Sequence, residues 1–317
     1  MPTRLIIVLT AALLAAPRCG AAPPPPPELP KAPARASAGC GAERPLAPGR
    51  HTISAGGLKR RFLLSVPTGD GPHPIVLDLH GLNSTAARQA VYSRLPEDGA
   101  RRGYIVATPQ AAPGRMGWTL PHTGGPDDSA FLAALLDHLE RGLCADPRRE
   151  FAAGMSYGAG MATGLICSLD GRLAAVAAVA GLNILPPCDG ARPTTIVAFH
   201  GTADRIVPYR GGHPFQDATG NLRGLADLVT LAPVERAARG WAKLLGCGGP
   251  AGRRVTRQVR LQDWKSCPAG MRLRLYTIDG GGHTWPGSLQ VPGLGGTTRD
   301  VDATAVILDT FDHAPSR

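Results

Sequence analysis

The sequence predicts an α/β fold: a single doubly wound, mostly parallel sheet with helices on both faces. Three observations carry that expectation. Short apolar runs of strand length recur at 75–80, 104–108, 150–154, 173–179, 195–200 and 271–278. Helical patterns alternate with most of them, which requires parallel pairing through right-handed crossovers. The chain of 317 residues is long enough for one large core, and neither an internal repeat nor a second domain after the last helix is visible.

Taken in order, residues 5–16 are apolar and follow Arg4, too short a run for a membrane span and the right length for the core of a secretory signal. A signal peptide over 1–22, cleaved after Ala22, is expected, followed by a stiff proline-rich linker over 23–39 and a catalytic-size domain over 40–317. Cys19 raises the alternative of a lipid-anchored chain, although Pro17-Arg18 suit such a site poorly. The expected location is therefore extracellular, without membrane contact unless Cys19 is lipidated.

Segments 51–54 and 59–66 read as a hairpin turning at Gly56-Gly57, and 75–80 as a central strand entering a tight loop at Gly81-Leu82-Asn83. A helix over 86–100 and a strand over 104–108 follow. Residues 110–126 are rich in Gly and Pro and form a loop carrying Trp118. Apolar residues at 131, 132, 135, 136 and 139 give 128–141 the period of an amphipathic helix. A strand over 150–154 leads into a helix ending near 169. Strands at 173–179 and 195–200, a helix at 234–245, a strand at 271–278 with alternating Leu273, Leu275 and Thr277, and a last helix at 302–311 complete the chain.

Apart from Cys19, six cysteines remain: Cys40, Cys144, Cys167, Cys188, Cys247 and Cys267. An even number in an exported chain reads as disulfides, and none has the close paired spacing of a zinc site. Proximity suggests Cys167 with Cys188 and Cys247 with Cys267, leaving Cys40 with Cys144; about fifteen connectivities are open to six cysteines. The net charge of +10 comes almost wholly from scattered arginine, with no basic helix and no basic face interleaved with aromatics. Nucleic acid is thus not an expected partner.

The chemistry centres on Gly154-Met155-Ser156-Tyr157-Gly158, a Gly-x-Ser-x-Gly pattern between a strand and a small-residue helix. Glycine at 154 and 158 relieves the close crossing of strand and helix, and the helix N-terminus points free N–H groups toward the serine. A serine hydroxyl needs a base, and in the α/β-hydrolase order the acid and then the histidine follow it in the chain. Of the histidines after a suitable acid, His313 lies in the tail and His213 too close behind its strand. His283, in Gly280-Gly281-Gly282-His283-Thr284-Trp285-Pro286, remains, and the glycines there offer freedom to place an imidazole. Asp204 is the acid expected to orient it, since it follows a strand, whereas Asp170, Asp189, Asp217, Asp227 and Asp263 fall in helix ends or irregular segments and Asp279 abuts the histidine loop. His200 and Asp204 lack a third neighbour that would make them a metal site, so neither metal nor cofactor is expected. The main-chain N–H groups of Leu82 and Tyr157 are the expected oxyanion donors, and Trp285 and Trp118 the expected floor of an acyl pocket.

With these residues in view, the sequence resembles the secreted polyhydroxybutyrate depolymerase and feruloyl esterase family of α/β-hydrolases from about Cys40 onward. The resemblance is carried by Leu79-His80-Gly81, Asp146-Pro147-Arg148-Arg149, Ala153-Gly154-Met155-Ser156-Tyr157-Gly158, Phe199-His200-Gly201-Thr202-Ala203-Asp204 through Tyr209, and Gly280-Gly281-Gly282-His283-Thr284-Trp285-Pro286-Gly287. It implies the α/β-hydrolase fold, a triad of Ser156, Asp204 and His283, and disulfide-bonded cysteine pairs. Leu82-Asn83 departs from the usual continuation after His-Gly, which leaves the substrate open. The function expected is a secreted serine carboxylic-ester hydrolase, working as a monomer through an acyl-enzyme. Its substrates would be feruloyl or acetyl esters of plant polysaccharide, or short hydroxybutyrate esters. The alternative is a non-catalytic cell-envelope binding protein on the same scaffold.

Overall fold

The computed structural model describes residues 33–121, 123–217, 219, 224 and 226–317. The expected signal peptide, Cys19 and most of the expected proline-rich linker lie outside the described residues. Contacts with the domain begin by Arg35, a little ahead of Cys40: the Arg35 N–H donates to Asp146, and Ser37 bonds to Leu143 O and Ala145 O.

Ten strands form one sheet in the order β1-β2-β4-β3-β5-β6-β7-β10-β9-β8. They are β1 Gly49–Ala55, β2 Leu58–Ser65, β3 His73–Leu79, β4 Ile105–Pro109, β5 Ala145–Met155, β6 Leu173–Val179, β7 Thr195–Gly201, β8 Ala251–Arg254, β9 Val259–Trp264 and β10 Leu273–Ile278. The inner strands β4, β3, β5, β6, β7 and β10 pair in parallel, while hairpins β1-β2 and β8-β9 add antiparallel edges. Antiparallel hairpins are the short connections that end a parallel sheet without a further crossover.

The helices are α1 Ala86–Ser93, α2 Leu95–Arg101, α3 Asp128–Gly142, α4 Tyr157–Ser168, α5 Val234–Leu244 and α6 Ala303–Asp312. Alternate strand residues serve the two faces: Ile75, Leu77 and Leu79 join Leu132, Met161 and Trp241 from α3, α4 and α5, whereas Val76, Phe151 and Ala153 join Leu95, Ile307 and Phe311 from α2 and α6. This is the doubly wound arrangement that the alternation of strand and helix predicts.

Two differences have local causes. The helix expected over 86–100 is broken at Arg94, which is left-handed (φ 56°), because Pro96 sits in the first turn of α2 and cannot continue α1. The β8-β9 hairpin was not foreseen. All four residues of β8 are exposed, so no apolar periodicity marks it. Disulfides join Cys40 to Cys144, Cys167 to Cys188 and Cys247 to Cys267. No helix among the described residues is long and apolar enough to cross a membrane.

Candidate active site

Ser156 stands between β5 and α4 with φ 55° and ψ −124°, a conformation that side chains rarely adopt. Its neighbours force it there. A Cβ on Gly154 would lie 2.2 Å from Gly158 O, and one on Gly158 would lie 2.2 Å from Leu79 O. A Cβ on Gly181, beyond the end of β6, would lie 2.4 Å from Ser156 O, and the Ser156 N–H donates to Val179 O at 2.8 Å. The strand, the turn and the helix thus meet at main-chain contact distance, and only glycine fits.

His283 and Asp204 come from the loops after β10 and β7, adjacent parallel strands. His283 Nδ1 lies 2.8 Å from Asp204 Oδ2, and both residues are buried. The other carboxylate oxygen accepts the N–H groups of Ile206 at 2.9 Å and Val207 at 2.8 Å. Burial alone would raise the Asp204 pKa, but hydrogen bonds from His200 and His283 outweigh it and hold the carboxyl well below the usual range. The glycines before His283 act mainly through close approach. Gly280 has φ 74°, but a Cβ on Gly282 would lie 2.2 Å from Leu294 O, and one on Gly201 would lie 2.1 Å from Gly281 O. The loops carrying Asp204 and His283 therefore pack backbone on backbone, which fixes their spacing.

The hydroxyl of Ser156 and the ring of His283 open on one cavity of about 640 Å³. Among the described residues Ser156 Oγ makes no hydrogen bond, the looser arrangement common in unliganded sites. The Leu82 and Tyr157 N–H groups likewise have no partner among the described residues, so both remain available to an incoming oxygen. Gly117 seats the two together: a Cβ there would lie 2.9 Å from Leu82 Cδ1 and 3.0 Å from Tyr157 Cδ1.

The two tryptophans expected in the pocket are elsewhere. Trp118 is buried with its Nε1–H donating to His80 O at 2.8 Å, and Trp285 is buried with its Nε1–H donating to Thr304 Oγ1 at 2.9 Å. Neither lines the cavity, because each indole N–H finds its partner in the core. The wall is apolar and is built from Leu82, Met116, Phe215, Leu289, Val291 and Leu294, with α1 supplying Val91 and Tyr92. No carboxylate among the described residues lines it.

Two histidines beside the site were not assigned roles from sequence. His80 is fully buried; its Nε2 accepts the Ala111 N–H at 3.1 Å and its Nδ1–H donates to Gly81 O at 2.8 Å. Burial pushes its pKa down, so it stays neutral. His200, also buried, has Nε2 at 2.8 Å from Val207 O and 3.3 Å from Asp204 Oδ2. Each sits one residue before a motif glycine, Gly81 or Gly201, which was the available signal.

No family model matches the chain. It is 30% identical over 240 residues to feruloyl esterase B of Piromyces equi, covering 71% of this chain and 42% of that protein, so it spans less than half that relative's length. It is 27% identical over 225 residues to the probable feruloyl esterase C of Aspergillus niger, covering 68% of this chain and 79% of that protein. Acetyl xylan esterase from Aspergillus awamori superposes with a TM-score of 0.57 at 17% identity, over 84% of this chain and 100% of that one, a likeness of fold.

Proposed function

We propose, from its similarity to feruloyl esterases over part of their length and its likeness of fold to an acetyl xylan esterase, that this chain is a serine carboxylic-ester hydrolase acting on esters of bulky, apolar acids borne by polysaccharide. The observation that carries the reading is the shared cavity: a strained serine at a helix N-terminus and an imidazole held by a buried carboxylate face the same apolar space.

In this reading the ester carbonyl enters beside Ser156, whose oxygen attacks the carbon as His283 Nε2 takes the hydroxyl proton. Asp204 keeps the Nδ1–H pointed toward itself and stabilises the imidazolium; its depressed pKa leaves it charged throughout the working range. The carbonyl oxygen, becoming an oxyanion, is received by the Leu82 and Tyr157 N–H groups, one of which is typically worth about 3 kcal/mol of barrier. The imidazolium returns its proton to the departing alcohol. Water then repeats the sequence on the acyl-enzyme and frees the acid.

The volume and apolar wall favour an aromatic or similarly large acyl group over acetyl, which would leave most of the space unfilled. Three disulfides support an exported, extracellular protein. A fluorophosphonate probe is expected to label Ser156 and to leave Ser156→Ala unlabelled. Methyl ferulate is expected to be cleaved with higher kcat/KM than p-nitrophenyl acetate. Ester cleavage that survived Ser156→Ala would refute the assignment, and an unlabelled wild type without esterase activity would favour a binding protein.

A further inference from the structure

Asp204 holds more hydrogen bonds than one imidazole requires. Besides His283 and two main-chain N–H groups, it faces a second histidine, His200, whose Nε2 lies 3.3 Å from Oδ2 and 2.8 Å from Val207 O. Both neighbours of that nitrogen are acceptors, so the proton of the ring belongs there. The opposite nitrogen, Nδ1, is buried and has no partner among the described residues. A second proton on it would be an unsatisfied donor on a buried cation, the costlier state. The ring is therefore neutral, with a single shared N–H. Its edge meets Tyr209, whose hydroxyl is engaged elsewhere, by Glu235 and Thr277.

We propose that His200 is a positioning residue for the acid: its neutral Nε2–H, shared between Val207 O and Asp204 Oδ2, keeps the carboxylate aimed at His283 without cancelling its charge. The proposal rests on the reading of Ser156, His283 and Asp204 as a triad. His200 is the penultimate residue of β7 and Val207 lies beyond the acid, so one rigid ring ties the two ends of the loop that carries Asp204. A lysine or arginine there would orient the carboxylate equally well, but would compete with the imidazolium for its charge. A neutral donor orients it at a smaller electrostatic loss.

Removing the donor has two consequences of opposite sense. The carboxylate becomes more basic, so His283 holds its proton to higher pH; and the imidazole is less well aimed, so turnover falls. His200→Phe retains a planar ring without the donor, and His200→Gln restores an amide N–H. The measurement is kcat and KM for a neutral ester between about pH 5 and about pH 9, for both variants, wild type and Asp204→Asn. His200→Phe is expected to lower kcat about tenfold with KM within about twofold, and to move the acid limb to higher pH, while His200→Gln recovers most of both. Asp204→Asn is expected to lose about 10⁴-fold. If His200→Phe matches wild type while Asp204→Asn collapses, the triad stands and the proposal is overturned. If Asp204→Asn remains fully active, the triad reading itself fails and takes the proposal with it. Should His200→Phe not fold, nitrogen-15 shifts of the wild-type ring decide: an Nε2–H neutral imidazole supports the role, and a doubly protonated or Nδ1–H ring overturns it.

Discussion

His80 acts on a peptide bond next to its own. By donating to Gly81 O it fixes the plane of the Gly81–Leu82 peptide, and because that unit is planar and trans, the Leu82 N–H must point the opposite way. The proposed oxyanion donor is thus aimed by a side chain outside the cavity lining. Tryptophan is the converse case. Trp285 braces the His283 loop, its indole on Thr304 and its main-chain N–H on Tyr92 Oη, so in the proposed mechanism it acts only through the placement of His283. Trp285→Phe is expected to cost about 1–3 kcal/mol of stability and to leave the proposed preference for feruloyl over acetyl esters unchanged. Phe215→Ala, which removes cavity wall, is expected to lower kcat/KM for methyl ferulate about 10- to 100-fold while changing p-nitrophenyl acetate much less. Equal losses on both esters would show that Phe215 does not contact the acyl group. The elbow glycines were readable in sequence because their constraint is a collision within a few residues. Whether an indole faces a pocket or a core depends on partners such as Thr304 and His80, which spacing does not disclose.

At the scale of elements, α1 supplies part of the cavity wall and is tied to the sheet by one buried carboxyl. Asp78 on β3 accepts from Gln89 Nε2 and Ser93 Oγ, both on α1 and both at 2.7 Å. Burial raises the Asp78 pKa from 3.8 to about 7, more than those hydrogen bonds lower it. A carboxyl whose folded pKa is raised binds its proton more tightly in the native state. Its contribution is therefore complete below about pH 4 and is lost as pH rises through about 7. Glu150, pushed up to about 8 by burial, acts in the same direction, so the Asp78 share must be isolated by substitution. The stability of wild type minus that of Asp78→Asn, from urea midpoints, is expected to be largest near pH 5 and to shrink toward pH 8. A difference flat across that range would mean that Asp78 does not titrate there. Periodicity could not reveal this link, since Asp78 interrupts an apolar run without altering it. The same blindness explains the missed hairpin: in β9 the alternation of Val259 and Leu261 ends at Asp263, buried and paired with Arg272.

For the whole molecule, the order of strands decides which residues can meet. β3, β5, β7 and β10 run parallel, so the loops that leave their ends, bearing Leu82, Ser156, Asp204 and His283, open on the same side of the sheet. That much followed from the alternation of strand and helix, whereas the cavity wall, drawn from well-separated segments, has no period to read. The disulfides hold this arrangement through the unfolded state. The loops they close, 40–144, 167–188 and 247–267, do not overlap, so each restricts a different part of the denatured chain and their contributions should add. Loop-closure entropy assigns about 5 kcal/mol to the separation of 104 and about 3 kcal/mol to those of 21 and 20. The total is comparable with the entire stability of a typical domain. Replacing Cys40 and Cys144 together by serine is therefore expected to lower the unfolding free energy by about 1–2 kcal/mol more than replacing Cys247 and Cys267. None of the six lines the cavity, so the proposed esterase activity per folded molecule should be unchanged in both. Guanidinium unfolding of the two double variants checks the order. If the short-loop variant were the less stable, native contacts around Cys247 and Cys267, rather than chain entropy, would be setting the contribution.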